Sequence, residues 1–142
     1  MHETLHKFGY PDTVIRDYAH WVVLLRPQQV TLGCMVLALK ADVRTLGEVG
    51  PDAFAEMATV TKDIQTALAA TFGPQKINYL ALMMVDPQVH FHVVPRYDGS
   101  RDLNGTPVDD PGWPKLPEMA RALALDAKAL DWIKAKLVGA WP

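Results

Sequence analysis

Apolar residues along this chain fall into short continuous runs and into longer stretches with helical spacing. Four runs rich in aliphatic and aromatic residues are bounded by Pro, Gly or Asp, which is typical of β-strands. These runs cover residues 20–26, 33–40, 76–85 and 88–97. Only Asp86 and Pro87 separate the last two runs, so the pattern predicts a tight hairpin at the centre of a sheet.

Two stretches repeat apolar residues every three or four positions, as an amphipathic helix does. The first covers residues 51–73, with Pro51 at its start and Gly73 at its end, and both are common helix boundaries. The second predicted helix covers residues 117–138. Residues 97–114 are rich in Gly, Asp and Pro, and we expect them to be irregular.

The order of the predicted elements is strand, strand, helix, strand, strand, loop, helix. This order favours an α+β fold built on an antiparallel sheet. The 142 residues fit one domain, which we expect to span residues 1–142. Neither a G-x-G-x-x-G nor a G-x-x-x-x-G-K-[ST] pattern occurs, so the two best-known phosphate-binding loops are absent.

Charge and composition narrow the possible partners. Fourteen Lys and Arg residues against sixteen Asp and Glu residues give a net charge of -2, so we expect no nucleic-acid partner. The longest apolar runs are far shorter than the roughly 20 residues that span a bilayer, and the N-terminal segment lacks a signal-peptide stretch. The single Cys34 cannot form an internal disulfide. We therefore expect a cytoplasmic protein that does not associate with membranes.

The run at residues 88–97 carries the candidate chemistry. Side chains two apart in a strand point the same way, so Gln88, His90 and His92 share one face. A neutral imidazole is available near pH 7 and can form a covalent intermediate. From the residues alone, an exposed polar face of an edge strand and a zinc site on two histidines remain open alternatives.

The string Q-V-H-F-H-V-V-P-R resembles the signature of the histidine triad (HIT) superfamily, with Gln88 in the first of its three histidine positions. It follows a strand that contains Asn78, and weaker similarity begins at about residue 10 and covers most of the chain. The resemblance implies an α+β fold with an antiparallel sheet, one long central helix and a C-terminal helix. It also implies a homodimer.

In HIT enzymes the middle histidine attacks the α-phosphate of a nucleotide, and the outer two positions bind phosphate oxygens. The resemblance therefore implies that His90 is the nucleophile and that Gln88 and His92 bind phosphate. It also implies a nucleotide-type small-molecule substrate, such as a dinucleoside polyphosphate or a phosphoramidate. The resemblance also places Arg26 where the family has a residue near the nucleotide's ribose. Two further candidates for nucleotide binding are Asn78, on the neighbouring strand, and Arg96, which could hold a phosphate at the end of the 88–97 run. For both arginines, a solvated charge at a strand end is an open alternative.

No cofactor or protein-bound metal is required by the implied chemistry, although Mg²⁺ can accompany a polyphosphate substrate. Gln88 can donate a hydrogen bond but cannot carry a proton or a positive charge. A nucleotide-binding module with little turnover is therefore the alternative function. We expect Met83 and Met84, just before this segment, to pack in the core.

Overall fold

A five-stranded antiparallel sheet forms the centre of the computed structural model, which describes residues 1–142. Its strands lie in the spatial order β1-β2-β3-β5-β4, and each pair of neighbours is antiparallel. The predicted α+β class and antiparallel sheet are thereby confirmed. The strands of this sheet are β1 (Val14–Asp17), β2 (Trp21–Leu25), β3 (Met35–Leu39), β4 (Lys76–Leu80) and β5 (His90–Arg96).

Three α-helices accompany the sheet: α1 (Glu3–Lys7), α2 (Pro51–Thr71) and α3 (Ala127–Ala140). The long helix α2 begins and ends close to where the apolar spacing predicts. Pro51 occupies its first turn, where the missing N–H costs no hydrogen bond. Gly73, at φ 59, follows the helix in a left-handed conformation that favours glycine.

Both faces of the sheet are covered, so every residue of β2 and β3 is buried. Helices α2 and α3 pack on one face, and their Ile64 and Ile133 join Trp21 and Leu37 in the main core. Helix α1 and the residue after it cover the other face, where Leu5 and Phe8 contact a smaller apolar cluster. Two-sided burial explains why these strands read as continuous apolar runs, and each fully buried Leu or Ile contributes about 1.5–3 kcal/mol.

The predicted pairing of the third and fourth runs is confirmed, because β4 and β5 are antiparallel neighbours. The tight turn between them and their position at the centre of the sheet are wrong. Strand β4 ends at Leu80 and lies at the edge of the sheet, and residues 81–89 form a loop before β5 begins at His90. Asp86 and Pro87 belong to this loop and do not form a tight two-residue turn.

The C-terminal helix is shorter than its apolar spacing predicts. Residues 117–126 are not helical, and α3 starts after Asp126, whose side chain accepts a hydrogen bond from the Ala129 backbone N–H at 2.8 Å. Met119 packs against a separate cluster that contains Val30, so tertiary contacts hold this segment out of the helix. The segment predicted to be irregular also contains a small hairpin, β6 (Arg101–Leu103) and β7 (Thr106–Val108).

Cys34 lies between β2 and β3 and has no exposed surface. Its Sγ accepts a hydrogen bond from the Thr31 backbone N–H at 3.4 Å. Burial raises the pKa of the thiol. None of the helices combines the length and the apolar character that a membrane crossing requires.

Candidate active site

A pocket of about 240 Å³ opens beside β5, on the face of the sheet that α1 covers. Its walls come from the end of α1, the residues that follow β2, the 81–89 loop and β5. We call it the histidine pocket. Its polar and charged lining residues are Lys7, Arg26, Gln28, Asp86, His90 and His92.

A larger groove of about 530 Å³ lies between α2 and β4, but no histidine, cysteine or carboxylate lines it. Size therefore does not select the site, because both histidines of the motif lie in the smaller pocket.

His90 is held in one tautomer by the backbone next to it. The Nδ1 atom lies 2.7 Å from the carbonyl oxygen of Gln88, and a carbonyl only accepts, so Nδ1 carries the proton. In the neutral ring the lone pair is therefore on Nε2, for which the protein provides no hydrogen-bond partner. No fully buried side-chain nitrogen lacks a partner, so Nε2 is open to the pocket that His90 lines. His90 itself is only 2% exposed, so its ring position is fixed by packing.

His92 takes the opposite tautomer. Its Nδ1 accepts a hydrogen bond from Arg26 Nε at 3.3 Å, so the neutral ring carries its proton on Nε2. Burial, followed by the nearby charges of Arg26 and His90, lowers the pKa of His92 to about 4. The pocket thus combines a bare ring nitrogen on His90 with a ring N–H donor on His92.

Phe8 fixes both imidazole rings from the side of α1. Its ring centre lies 5.6 Å from that of His90 and 5.7 Å from that of His92. The two histidine rings are themselves 5.0 Å apart and nearly perpendicular. His2 caps α1 by accepting the Leu5 backbone N–H at 3.4 Å, and its Nε2 lies 2.7 Å from the carbonyl oxygen of Leu39 in β3, which ties the N-terminal segment to the sheet.

Gln88 lies beneath the pocket and does not line it. Its amide nitrogen donates to Asp42 Oδ1 at 3.1 Å, and its amide oxygen accepts from the hydroxyl of Thr4. The residue is 2% exposed, so both ends of its side chain are occupied inside the protein. Gln88 therefore contacts the site through its backbone carbonyl, which holds His90, and anchors α1 through Thr4.

Arg96 shares the face of His90 and His92, as the alternation of the strand predicts, but it lies outside the pocket. Its Nε donates to Asp110 Oδ2 at 2.7 Å and its Nη1 to Asn78 Oδ1 at 2.8 Å. Arg96 is 4% exposed, and its buried ion pair with Asp110 neutralises its charge. Of the six predicted site residues, the structure brings Arg26, His90 and His92 together in the pocket and leaves Gln88, Asn78 and Arg96 outside it.

The 81–89 loop forms the outer wall of the pocket. Met83 and Met84 both line it, and Met84 is 83% exposed, so the expectation that they pack in the core is wrong. Beside them, the Asp86 carboxylate lies 3.1 Å from Lys7 Nζ and ties the loop to the end of α1.

Several contributing residues were not predicted from the sequence. They are Thr4, Lys7, Phe8, Gln28, Asp42 and Asp86. Most are distant from the histidines in sequence, and only Asp86 lies close to the segment that contains His90 and His92. His90 and His92 do not join a third His, Cys, Asp or Glu in a group that could hold a metal ion.

Comparison with known proteins adds to this geometry. The HIT domain family model matches residues 8–99, well over half of the chain. A histidine triad protein from Sinorhizobium meliloti 1021 has a similar structure, with a TM-score of 0.75 and 22% identity over 99% of this chain and 95% of that chain. Another from Marinobacter aquaeolei VT8 gives a TM-score of 0.74 and 21% identity over 100% of this chain and 97% of that chain. No curated protein matches the sequence.

Proposed function

The chain belongs to the HIT domain family, and we propose that it is a nucleotide hydrolase or transferase in which His90 attacks the α-phosphate of a nucleoside phosphate conjugate. The observation that carries this proposal is the fixed tautomer of His90. Its Nδ1 is bonded to the Gln88 carbonyl at 2.7 Å, and its unprotonated Nε2 has no partner within the protein. An imidazole nitrogen held this way is a nucleophile that needs no separate base.

In the first step the Nε2 lone pair forms a bond to the α-phosphorus, and the bond to the leaving group breaks with its electron pair on the leaving atom. The positive charge that develops on the His90 ring is stabilised at Nδ1 by the Gln88 carbonyl, 2.7 Å away. In the second step water attacks the phosphorus, and the N–P electron pair returns to Nε2. The water loses its proton to solvent, which releases a nucleoside monophosphate.

His92 and Arg26 supply donors to the phosphoryl oxygens in this proposal. His92 presents Nε2–H because its Nδ1 accepts from Arg26 Nε at 3.3 Å. Arg26 keeps its orientation through a second bond, from Nη1 to the Gln28 carbonyl at 2.6 Å. Donors that are already oriented stabilise transition-state charge without reorganising, and removing one such donor commonly costs about 10²–10³ in rate.

No step of this scheme needs a protein-bound metal, and Mg²⁺ enters only as the counterion of a polyphosphate substrate. The homodimer and the cytoplasmic location remain predictions. Sedimentation at micromolar concentration tests the homodimer, because a monomer there contradicts it.

A nucleotide-binding module with little turnover is the second candidate. The observation that favours it is the position of Gln88, whose side chain is occupied by Thr4 and Asp42 and cannot assist chemistry in the pocket.

The test compares wild type with His90→Asn and, as a matched control, with His20→Asn at an exposed histidine outside the pocket. Each protein is incubated with a dinucleoside tetraphosphate, a nucleoside phosphoramidate and an adenylylated amine, and nucleoside monophosphate release is measured. We expect wild type and His20→Asn to release nucleoside monophosphate from at least one of these conjugates, and His90→Asn to bind nucleotide without turnover. Nucleotide binding by all three proteins with no turnover would select the binding module instead.

A further inference from the structure

We infer that the histidine pocket favours leaving groups that depart without receiving a proton, so that it turns over phosphoanhydrides faster than phosphoramidates. This inference rests on the proposed function, because it concerns the second product of the same displacement. It follows from which side chains around His90 hold a transferable proton and from the charge at the pocket rim.

The two substrate classes differ in what the departing atom needs. When a P–O bond of an anhydride breaks, the electron pair stays on a phosphate oxygen, which is a stable anion in water. When the P–N bond of a phosphoramidate breaks, the nitrogen must receive a proton as the bond breaks. A general acid placed near the leaving group commonly contributes about 10²–10⁴ to such a rate.

Gln88 cannot act as a general acid toward the leaving group. An amide side chain does not transfer protons near neutral pH, and this one is buried against Thr4 and Asp42 and does not line the pocket. The side chain therefore cannot turn toward a leaving group without breaking both hydrogen bonds.

His92 is prevented from acting as an acid by Arg26. A doubly protonated His92 ring would place its Nδ1–H against the Arg26 Nε–H, across a distance that is 3.3 Å in the structure. Protonation thus costs a hydrogen bond and sets two positive charges side by side. The pKa of about 4 for His92 agrees with this geometry.

Lys7 supplies the complementary feature, a positive charge for an anionic leaving group. Its Nζ is 3.1 Å from Asp86 Oδ1, and its side chain remains 52% exposed at the rim of the pocket. Together Lys7 and Arg26 place two cations around a single carboxylate in this pocket. A departing phosphate chain carries negative charge that these cations attract, whereas a departing neutral amine carries none.

An anhydride reacts without proton transfer from the protein. The Nε2 lone pair of His90 forms the N–P bond, the P–O electron pair goes to the leaving phosphate, and no proton leaves the protein. The leaving phosphate then equilibrates with protons of the solvent.

The experiment uses three adenosine conjugates with wild type, Lys7→Gln and Lys7→Arg. The leaving group of a dinucleoside tetraphosphate is a weakly basic, anionic phosphate chain. The leaving group of the p-nitrophenyl ester of AMP is weakly basic too, but it contains no phosphate. The leaving group of an alkyl phosphoramidate of AMP is a strongly basic amine. The matched control is Lys136→Gln, which removes a charge on α3, on the far side of the sheet.

We expect wild type to turn over the tetraphosphate and the aryl ester, and the phosphoramidate about 100-fold more slowly in kcat/KM. We expect Lys7→Gln to lose about 5-fold on the tetraphosphate alone, since a half-exposed charge contributes modestly, and Lys7→Arg to retain its rate. Equal rates on the phosphoramidate and the tetraphosphate overturn the inference while leaving the nucleophile in place. A loss on the phosphoramidate in Lys7→Gln also overturns it, because Lys7 would then be the acid. Turnover of none of the three removes the proposed function together with the inference.

Discussion

The buried ion pair between Arg96 and Asp110 provides a test of whether Arg96 serves the fold or the ligand. The two side chains are 5% and 1% exposed, and Asp110 accepts from Arg96 Nε at 2.7 Å. The same carboxylate also accepts the backbone N–H groups of Tyr97 and Gly112, each at 3.2 Å. Asp110→Ala removes all these acceptors at once and leaves the guanidinium with only the amide oxygen of Asn78.

Removing one member of a buried ion pair commonly destabilises a protein by about 3–5 kcal/mol, because the other charge stays buried without its partner. The two backbone donors that lose their acceptor add to the cost, so we expect the upper part of this range. For a domain of this size the loss corresponds to a fall in Tm of roughly 10–20 °C. Nucleotide affinity of the folded fraction should not change, since neither residue lines the pocket.

Urea denaturation followed by circular dichroism measures the loss, with Asp109→Ala as the control at the exposed neighbouring carboxylate. The double variant Arg96→Met with Asp110→Leu should recover much of the stability, because no uncompensated charge remains. A loss below about 1 kcal/mol in Asp110→Ala would refute the structural role assigned to the pair. So would a folded Asp110→Ala protein whose nucleotide affinity falls at low temperature, where it is fully native.

Three further predictions concern the pocket and the contacts beneath it. Arg26→Gln should raise the pKa of His92 above its value of about 4 by removing a neighbouring cation, and an NMR titration of the ring protons measures it; an unchanged pKa contradicts this. Because that pKa lies below its unfolded value of about 6.5, the unfolded chain binds an extra proton between pH 6.5 and 4. The free energy of unfolding should therefore fall by about 1–2 kcal/mol from pH 7 to pH 5, and His92→Gln should fall less over the same interval. Thr4→Val should cost about 1–3 kcal/mol in urea denaturation by leaving the buried Gln88 oxygen without a donor, whereas Thr4→Ser should retain nearly full stability.

The elements predicted best from the sequence are those whose own pattern decides their structure. Helix α2 carries an apolar face along its whole length between Pro51 and Thr71 and needs no information from elsewhere in the chain. Strands β2 and β3 are buried on both faces, so their continuous apolar runs stand out. The alternation in β5 places His90 and His92 on one face for the same local reason.

The missed elements depend on distant partners. Helix α1 has five residues, too few to be stable alone, and it is held by Thr4 against Gln88 and by Phe8 against the histidine rings. Strand β1 is short, and its register with β2 shifts after Val14, so it lacks a clear alternation. The apolar residues between 117 and 126 have helical spacing, yet Leu123 donates its backbone N–H to the Gln29 carbonyl at 2.8 Å instead.

The same distinction between local pattern and distant contacts applies to the residues of the site. Burial of Arg96 beside Asp110 and of Gln88 beside Thr4 results from contacts between residues far apart in sequence, which strand alternation cannot indicate. Arg26 reaches His92 because β2, β3 and β5 are neighbours in the sheet, an order that becomes visible only in three dimensions.

The sealed position of Cys34 makes this protein suitable for site-specific labelling. The thiolate is the reactive form of cysteine, and a fully buried thiol with a raised pKa reacts slowly with maleimides. A cysteine introduced as Met84→Cys, at a residue 83% exposed on the wall of the histidine pocket, would then be the one readily modified thiol. A fluorophore attached there would test whether nucleotides enter the histidine pocket, without removal of the native cysteine.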